Sequence, residues 1–192
     1  MNEKVLILDG HPEETSFCHA LAQAAEKGAL QKGAEVRLIQ ISKLNFNLNL
    51  EGAYKSPHPL EPDLQAVFED LQWCDRLLII HPLWWGSAPS KLKGLFDRTL
   101  RPGEAFHYED GKPLPVGHFK GKTAQALITS DTPGWYLRLI YKRGWHVILK
   151  KQILEFCGFK VRNIKNIGPM RSSTESQREK YLLLAERAGQ TI

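Results

Sequence analysis

Short apolar runs alternating with amphipathic helical patterns predict an α/β fold, a three-layer sandwich with a parallel five-stranded sheet and helices on both faces. Units of this kind, joined by right-handed crossovers, most simply give the strand order 2-1-3-4-5. The chain has 192 residues and is 42% hydrophobic, enough for one sizeable core and short for two. Residues 1–192 are therefore read as a single domain.

Each element has its own signal. Lys4 to Asp9 (KVLILD) is a buried strand bounded by Gly10. Ser16 to Lys32 is a helix with Ser16 as its cap and Gly33 as its stop. Val36 to Ile41 (VRLIQI) is the second strand. Glu61 to Trp73 carries Leu64, Val67, Phe68 and Leu71 on one helical face, with Pro62 in its first turn. Leu77 to Ile80 is the third strand, followed by a helix over Ser90 to Leu100. Thr123 to Thr129 (TAQALIT) is the fourth. His146 to Cys157 is expected as a helix burying Leu149, Ile153, Phe156 and Cys157, ended by Gly158. Phe159 to Ile167 is the fifth strand, and Thr174 to Ala188 the last helix, opened by a Thr174–Gln177 capping box. Ser42 to Leu60 and Arg101 to Lys120 exceed ordinary connections, which points to function or subunit contact.

Composition narrows the class. Cys18, Cys74 and Cys157 lack C-x-x-C spacing, so neither a disulfide framework nor structural zinc is expected, and reduced thiols suit a cytoplasmic protein. The amino terminus runs directly into an apolar strand without the features of an export signal. Apolar runs are far shorter than the roughly 18 residues of a membrane span, so no membrane insertion is expected. The net charge is +5, but the cations are dispersed, which favours a small anionic cofactor over nucleic acid.

Two loops carry the chemistry. Gly10 to Cys18 (GHPEETSFC) joins the first strand to the first helix, where free N–H groups, the helix dipole and the hydroxyls of Thr15 and Ser16 suit a phosphate. It is neither a P-loop nor a G-x-G-x-x-G loop. Pro82, Leu83, Trp84, Trp85 and Gly86 follow the third strand beside it, and two tryptophans in a loop suit a flat ligand. Gly86 allows a ring close to the backbone, and one indole is expected to pack into the core or a subunit contact. His19, His58, His81, His107, His118 and His146 have neither spacing nor carboxylates arranged for metal and are read as surface or strand-end residues, His81 being placed to orient the tryptophan loop. Glu13 and Glu14 form a solvated turn; Asp97 and Arg98 bond each other or the neighbouring loop.

H-P-x-x-x-S-F at His11 to Phe17, P-L-W-W-G-S-x-P-x-x-L-K-G at Pro82 to Gly94, and then Asp97, Arg98, Pro102, Gly103, Ala105 and Phe106 resemble the flavin-dependent NAD(P)H:quinone oxidoreductase family, which has a flavodoxin-like fold. The resemblance implies that His11, Thr15, Ser16 and Phe17 surround the ribityl and phosphate part of a flavin. It places Pro82, Leu83, Trp84, Trp85 and Gly86 along the isoalloxazine ring, largely through backbone groups, and Thr129 and Ser130 in a third flavin loop. Phe106 and Tyr108 correspond to positions that wall the substrate pocket from the other subunit of a homodimer, and Trp135 and Tyr136 are further substrate-side candidates. FMN is the expected cofactor, with FAD as the alternative. The expected reaction passes hydride from NADH or NADPH through flavin N5 to a quinone-like acceptor, in one shared site and hence by ping-pong kinetics.

The sequence ITSDTPGWYLR departs from the family's third loop, which often has paired threonines and paired glycines. The Tyr and His that assist hydride transfer in the family have no clear match: Tyr136 is one place out of register and Arg143 stands near the His position. No catalytic side chain is therefore assigned. Alternative functions are an ancillary flavin-binding subunit of a potassium efflux system, implied by the resemblance, and a flavodoxin-type electron carrier, which the basic charge disfavours.

Overall fold

The computed structural model describes residues 2–55 and 59–190. His58 lies outside them, as does part of the Ser42 to Leu60 connection. The sheet strands are β1 (Lys4–Asp9), β2 (Glu35–Gln40), β3 (Arg76–Pro82), β6 (Thr123–Thr129) and β7 (Lys160–Ile167), while β4 (Phe106–His107) and β5 (Val116–Gly117) form a separate antiparallel pair. The helices are α1 (Phe17–Gln31), α2 (Pro62–Trp73), α3 (Ser90–Thr99), α4 (Gly134–Leu139), α5 (Gly144–Val147) and α6 (Glu175–Gln190). The five sheet strands are parallel and ordered β2-β1-β3-β6-β7, the arrangement expected.

Alternate side chains of each strand enter different layers. Val5, Ile7, Leu78, Ile80 and Leu127 pack against α1 and α6, whereas Leu6, Leu8, Leu77, Ile79 and Ala126 face α2, α3 and the segment after α5. Both faces are covered, so β1 and β3 carry the continuous apolar runs VLIL and LLII between polar ends. The α1–α6 contact depends on glycine. A Cβ on Gly28 would stand 2.0 Å from the Glu186 carbonyl oxygen, and one on Gly189 would stand 1.9 Å from that of Ala25. Buried Arg76 adds a clasp, donating to Glu3 and to the carbonyls of Ala188 and Gly189, which lack helical partners at the end of α6.

The expected helix over His146 to Cys157 is corrected. The segment begins as α5 and continues as a π-helix, Ile148–Leu154, in which Glu155 N–H donates to the Lys150 carbonyl at 2.9 Å. Its wider turn buries Leu149 and Leu154, five apart, and leaves Ile153 and Phe156 half-buried. The β4–β5 pair and α4 also arise where only loops were expected, and β3 runs from Arg76 to Pro82, longer at both ends. Cys18, Cys74 and Cys157 are free and buried, and burial pushes each thiol up to about 12. No helix among the described residues is long and apolar enough to cross a membrane.

Candidate functional site

Because β1, β3 and β6 are adjacent and parallel, the loops leaving Asp9, Pro82 and Thr129 meet at one sheet edge, where the connections diverge to opposite faces. The first loop is anchored from below. Buried Asp9 accepts the His11 backbone N–H at 3.1 Å through one oxygen and meets His19 Nδ1 at 3.1 Å through the other. Burial pushes the Asp9 carboxyl above the usual carboxylate range, against the lowering effect of those bonds. His19 is thus neither isolated nor a plain surface residue.

Glu13 N–H donates to His11 Nδ1 at 3.0 Å, fixing the loop's bend. Ser16 accepts the His19 N–H at 3.2 Å and caps α1 as expected. Among the described residues, the backbone N–H groups of Glu14 and Thr15 have no acceptor, and they stand at the positive end of a 15-residue helix. A terminal phosphate fits these donors.

The second loop is a tight turn. Trp84 and Ser87 exchange both backbone hydrogen bonds at 2.9 Å, with Trp85 at φ 50° and Gly86 at φ 75° between them. Left-handed backbone at both central positions defines a type I′ turn, which glycine accepts freely and tryptophan only at a cost. The turn turns Trp85 fully into solvent, and Trp84 is 45% exposed with its ring edge-on to His11 at 5.4 Å. Of the two places expected for one indole, the core is therefore corrected: within this chain both stand outside it, and a subunit contact is the remaining one. Open space surrounds Gly86, leaving room for a flat ring against the backbone.

Leu83 N–H donates to the Thr129 carbonyl at 2.7 Å and ties the second loop to the third. The side chains of Thr129 and Ser130 turn inward: the Thr129 hydroxyl and Cys18 thiol share a 3.3 Å bond, and Ser130 Oγ donates to Asn166 at 3.2 Å. Both are buried. Asp131 accepts the Arg171 N–H at 2.6 Å, so the acidic departure in this loop is committed locally.

A cleft of about 530 Å³ opens beside the second loop, lined by Leu83, Trp85, Gly86, Tyr141, Arg143 and Trp145 among others. Trp135 lines a neighbouring groove instead, while Tyr136 packs on Trp135 and Tyr141. Phe106 and Tyr108 sit on and beside the β4 strand, edge-on to each other, and line no part of the cleft in this chain. Trp145, Tyr141 and the Arg143 turn are walls that sequence pattern did not pick out. Arg143 and Lys142 adopt φ 52° and 48°, a left-handed pair that no glycine announces.

His81 is wholly buried and is a connecting residue, not a surface one. Trp145 Nε1–H donates to its Nε2 at 3.1 Å, and its Nδ1–H donates to the Pro82 carbonyl at 2.8 Å. Because indole can only donate, the tautomer follows. Burial lowers the His81 pKa to about 4 and keeps it neutral. Arg98 takes the second of its expected roles, bonding the Asn47 carbonyl and Glu61 of the neighbouring connection, while Asp97 pairs with Lys93.

Three loops leaving adjacent parallel strands at one sheet edge mark a doubly wound α/β protein. The chain belongs to the flavodoxin-like fold family, whose model matches residues 3–188. It is 31% identical over 183 residues to NAD(P)H dehydrogenase [quinone] 1 of Rattus norvegicus, covering 82% of this chain and 66% of that protein's length. An uncharacterized NAD(P)H oxidoreductase of Haemophilus influenzae is 27% identical, over 94% of this chain and 91% of its own. The solved structure of NAD(P)H:quinone oxidoreductase from Methanothermobacter marburgensis superposes with a TM-score of 0.83 at 26% identity, covering 99% of this chain and 96% of that one. The resemblance carried by the loop motifs is borne out, and the relatives are oxidoreductases by name.

Proposed function

We propose that this chain is a flavoprotein NAD(P)H dehydrogenase that reduces quinones or similar aromatic acceptors. The observation that carries the reading is the convergence, at one sheet edge, of unpaired N–H groups before α1 and an exposed Trp85–Gly86 turn beside an open cleft. The names of the relatives agree with it. A bound flavin supplies reversible two-electron chemistry, and the protein's part is to bind and orient it.

FMN is the proposed form, because the first loop offers its N–H groups at a single helix end suited to one terminal phosphate. His11, Thr15, Ser16 and Phe17 would surround that end, and Pro82 to Gly86 with the backbone of Thr129 and Ser130 would hold the ring. The neutral His81 keeps the Pro82 carbonyl in place, so the second loop meets the ring in one conformation. Leu83 and Trp145 give one wall of the cleft an apolar lining, and Arg143 places a positive charge there.

Donor and acceptor would occupy the same cleft in turn, which makes the kinetics ping-pong. The working unit is proposed to be a homodimer. Tyr108, Leu114, Ile140, Tyr141, Val147 and Ile148 leave apolar surface exposed, and Phe106 and Tyr108 would complete a cleft only across a subunit contact.

The test is the absorbance spectrum of the purified protein, the mass of its released cofactor, and NAD(P)H-dependent quinone reduction. Expected are about one FMN per chain and parallel double-reciprocal plots. Protein that binds neither FMN nor FAD overturns the reading.

A further inference from the structure

A second groove, of about 750 Å³, adjoins the cleft. Arg143 and His146 line both, so the two spaces share a wall. The groove runs between α4 and β7, with Trp135 and Arg138 on one side and Asn163 and Lys165 on the other. No Asp or Glu among the described residues lines it. Arg138, Arg143 and Lys165 form no ion pair among the described residues. Trp135 is 61% exposed at its rim.

Position in the sheet separates this groove from the phosphate loop. The loop follows β1 and the groove borders β7, with β3 and β6 lying between. A phosphorylated cofactor anchored at the first loop therefore leaves the groove free. What reaches it is a molecule whose reactive end lies in the cleft and whose anionic end extends past Arg143.

From this juxtaposition we infer that the groove binds the adenylate half of the hydride donor and selects NADPH over NADH, an inference that rests on the reading of the cleft given above. The 2′-phosphate carries nearly two negative charges at neutral pH, and guanidinium groups bond phosphate oxygens in pairs. Three cations without carboxylates beside them offer that charge its compensation, and the exposed Trp135 indole offers the adenine a face. NADH presents the same adenine and pyrophosphate but lacks the group that distinguishes the two donors.

The experiment uses the flavin-loaded protein. With one soluble quinone as acceptor, kcat/KM for NADPH is expected to exceed that for NADH tenfold or more, chiefly through KM. Arg138→Gln and Lys165→Gln are expected to bring the ratio close to one. Calorimetry with adenosine 2′,5′-bisphosphate and with adenosine 5′-monophosphate gives a readout independent of turnover, the bisphosphate binding at least tenfold tighter and losing that advantage in both variants. Equal use of both donors, or a preference untouched by the two substitutions, overturns the groove while leaving the dehydrogenase reading intact. Tight bisphosphate binding that the variants abolish, in a protein without donor oxidation, supports the groove and removes the dehydrogenase reading instead.

Discussion

The indole N–H of Trp145 donates to Nε2 of His81 at 3.1 Å, and the other ring nitrogen of His81 donates to the Pro82 carbonyl at 2.8 Å. One wall of the cleft is thereby joined to the first residue of the loop proposed to hold the flavin ring. The joint lies in the core, so water cannot replace either bond without opening the fold.

Trp145→Phe keeps the ring and removes the donor. His81 Nε2 is then a buried acceptor without a partner, which costs on the order of 1–3 kcal/mol. Urea unfolding is expected to show that loss, and flavin titration a weaker complex because Pro82 is no longer fixed. Unchanged unfolding and unchanged flavin affinity together would show that the bond has no mechanical role.

Stability is expected to depend on pH through His81. Burial lowers its pKa from 6.5 to about 4, against the raising effect of the bond to Pro82. Between those values the unfolded chain holds more protons than the folded one. Its contribution is therefore complete above about pH 6.5, declines as pH falls towards 4 and levels off below, by on the order of 3 kcal/mol in all. His81→Asn, which retains a donor towards Pro82, should show a flatter profile in unfolding measured across this range. A variant profile as steep as the parent's assigns the dependence to other groups.

Trp85→Ala separates binding from folding. The side chain is fully exposed, so stability should change by no more than about 0.5 kcal/mol. The left-handed backbone remains costly for alanine as for tryptophan. Flavin or substrate affinity should fall by roughly tenfold, through lost stacking and apolar contact. A large drop in unfolding midpoint with affinity intact is the opposite result and would place the indole in a structural contact.

Ser16→Ala tests the phosphate end. Loss of the cap costs about 1 kcal/mol of stability. FMN affinity should fall about tenfold while riboflavin, which lacks the phosphate, binds as before. Equal losses for the two ligands would mean that the first loop meets the ribityl chain alone.

Sedimentation at micromolar concentration should find a dimer. Tyr108 and Leu114 are exposed on the excursion around β4 and β5, as are Ile140, Tyr141, Val147 and Ile148 beyond α4. A fully active monomer would require the cleft to be complete within one chain.

Sequence by itself determined the sheet, its order and the placement of two loops. Apolar runs such as KVLILD suit strands covered on both faces, and crossover handedness leaves few ways to join them. The loop chemistry was legible because Ser16 as a cap and Gly86 in a turn act through local backbone geometry. Tertiary structure alone decided the rest. The π-helix over Ile148–Leu154 follows from packing on the sheet, which overrides the α-helical spacing. Residues 64 positions apart bring Trp145 to His81 only once β3 and α5 are packed together. The groove behind Arg143 likewise gathers cations from α4, the following turn and β7, whose closeness no local pattern encodes.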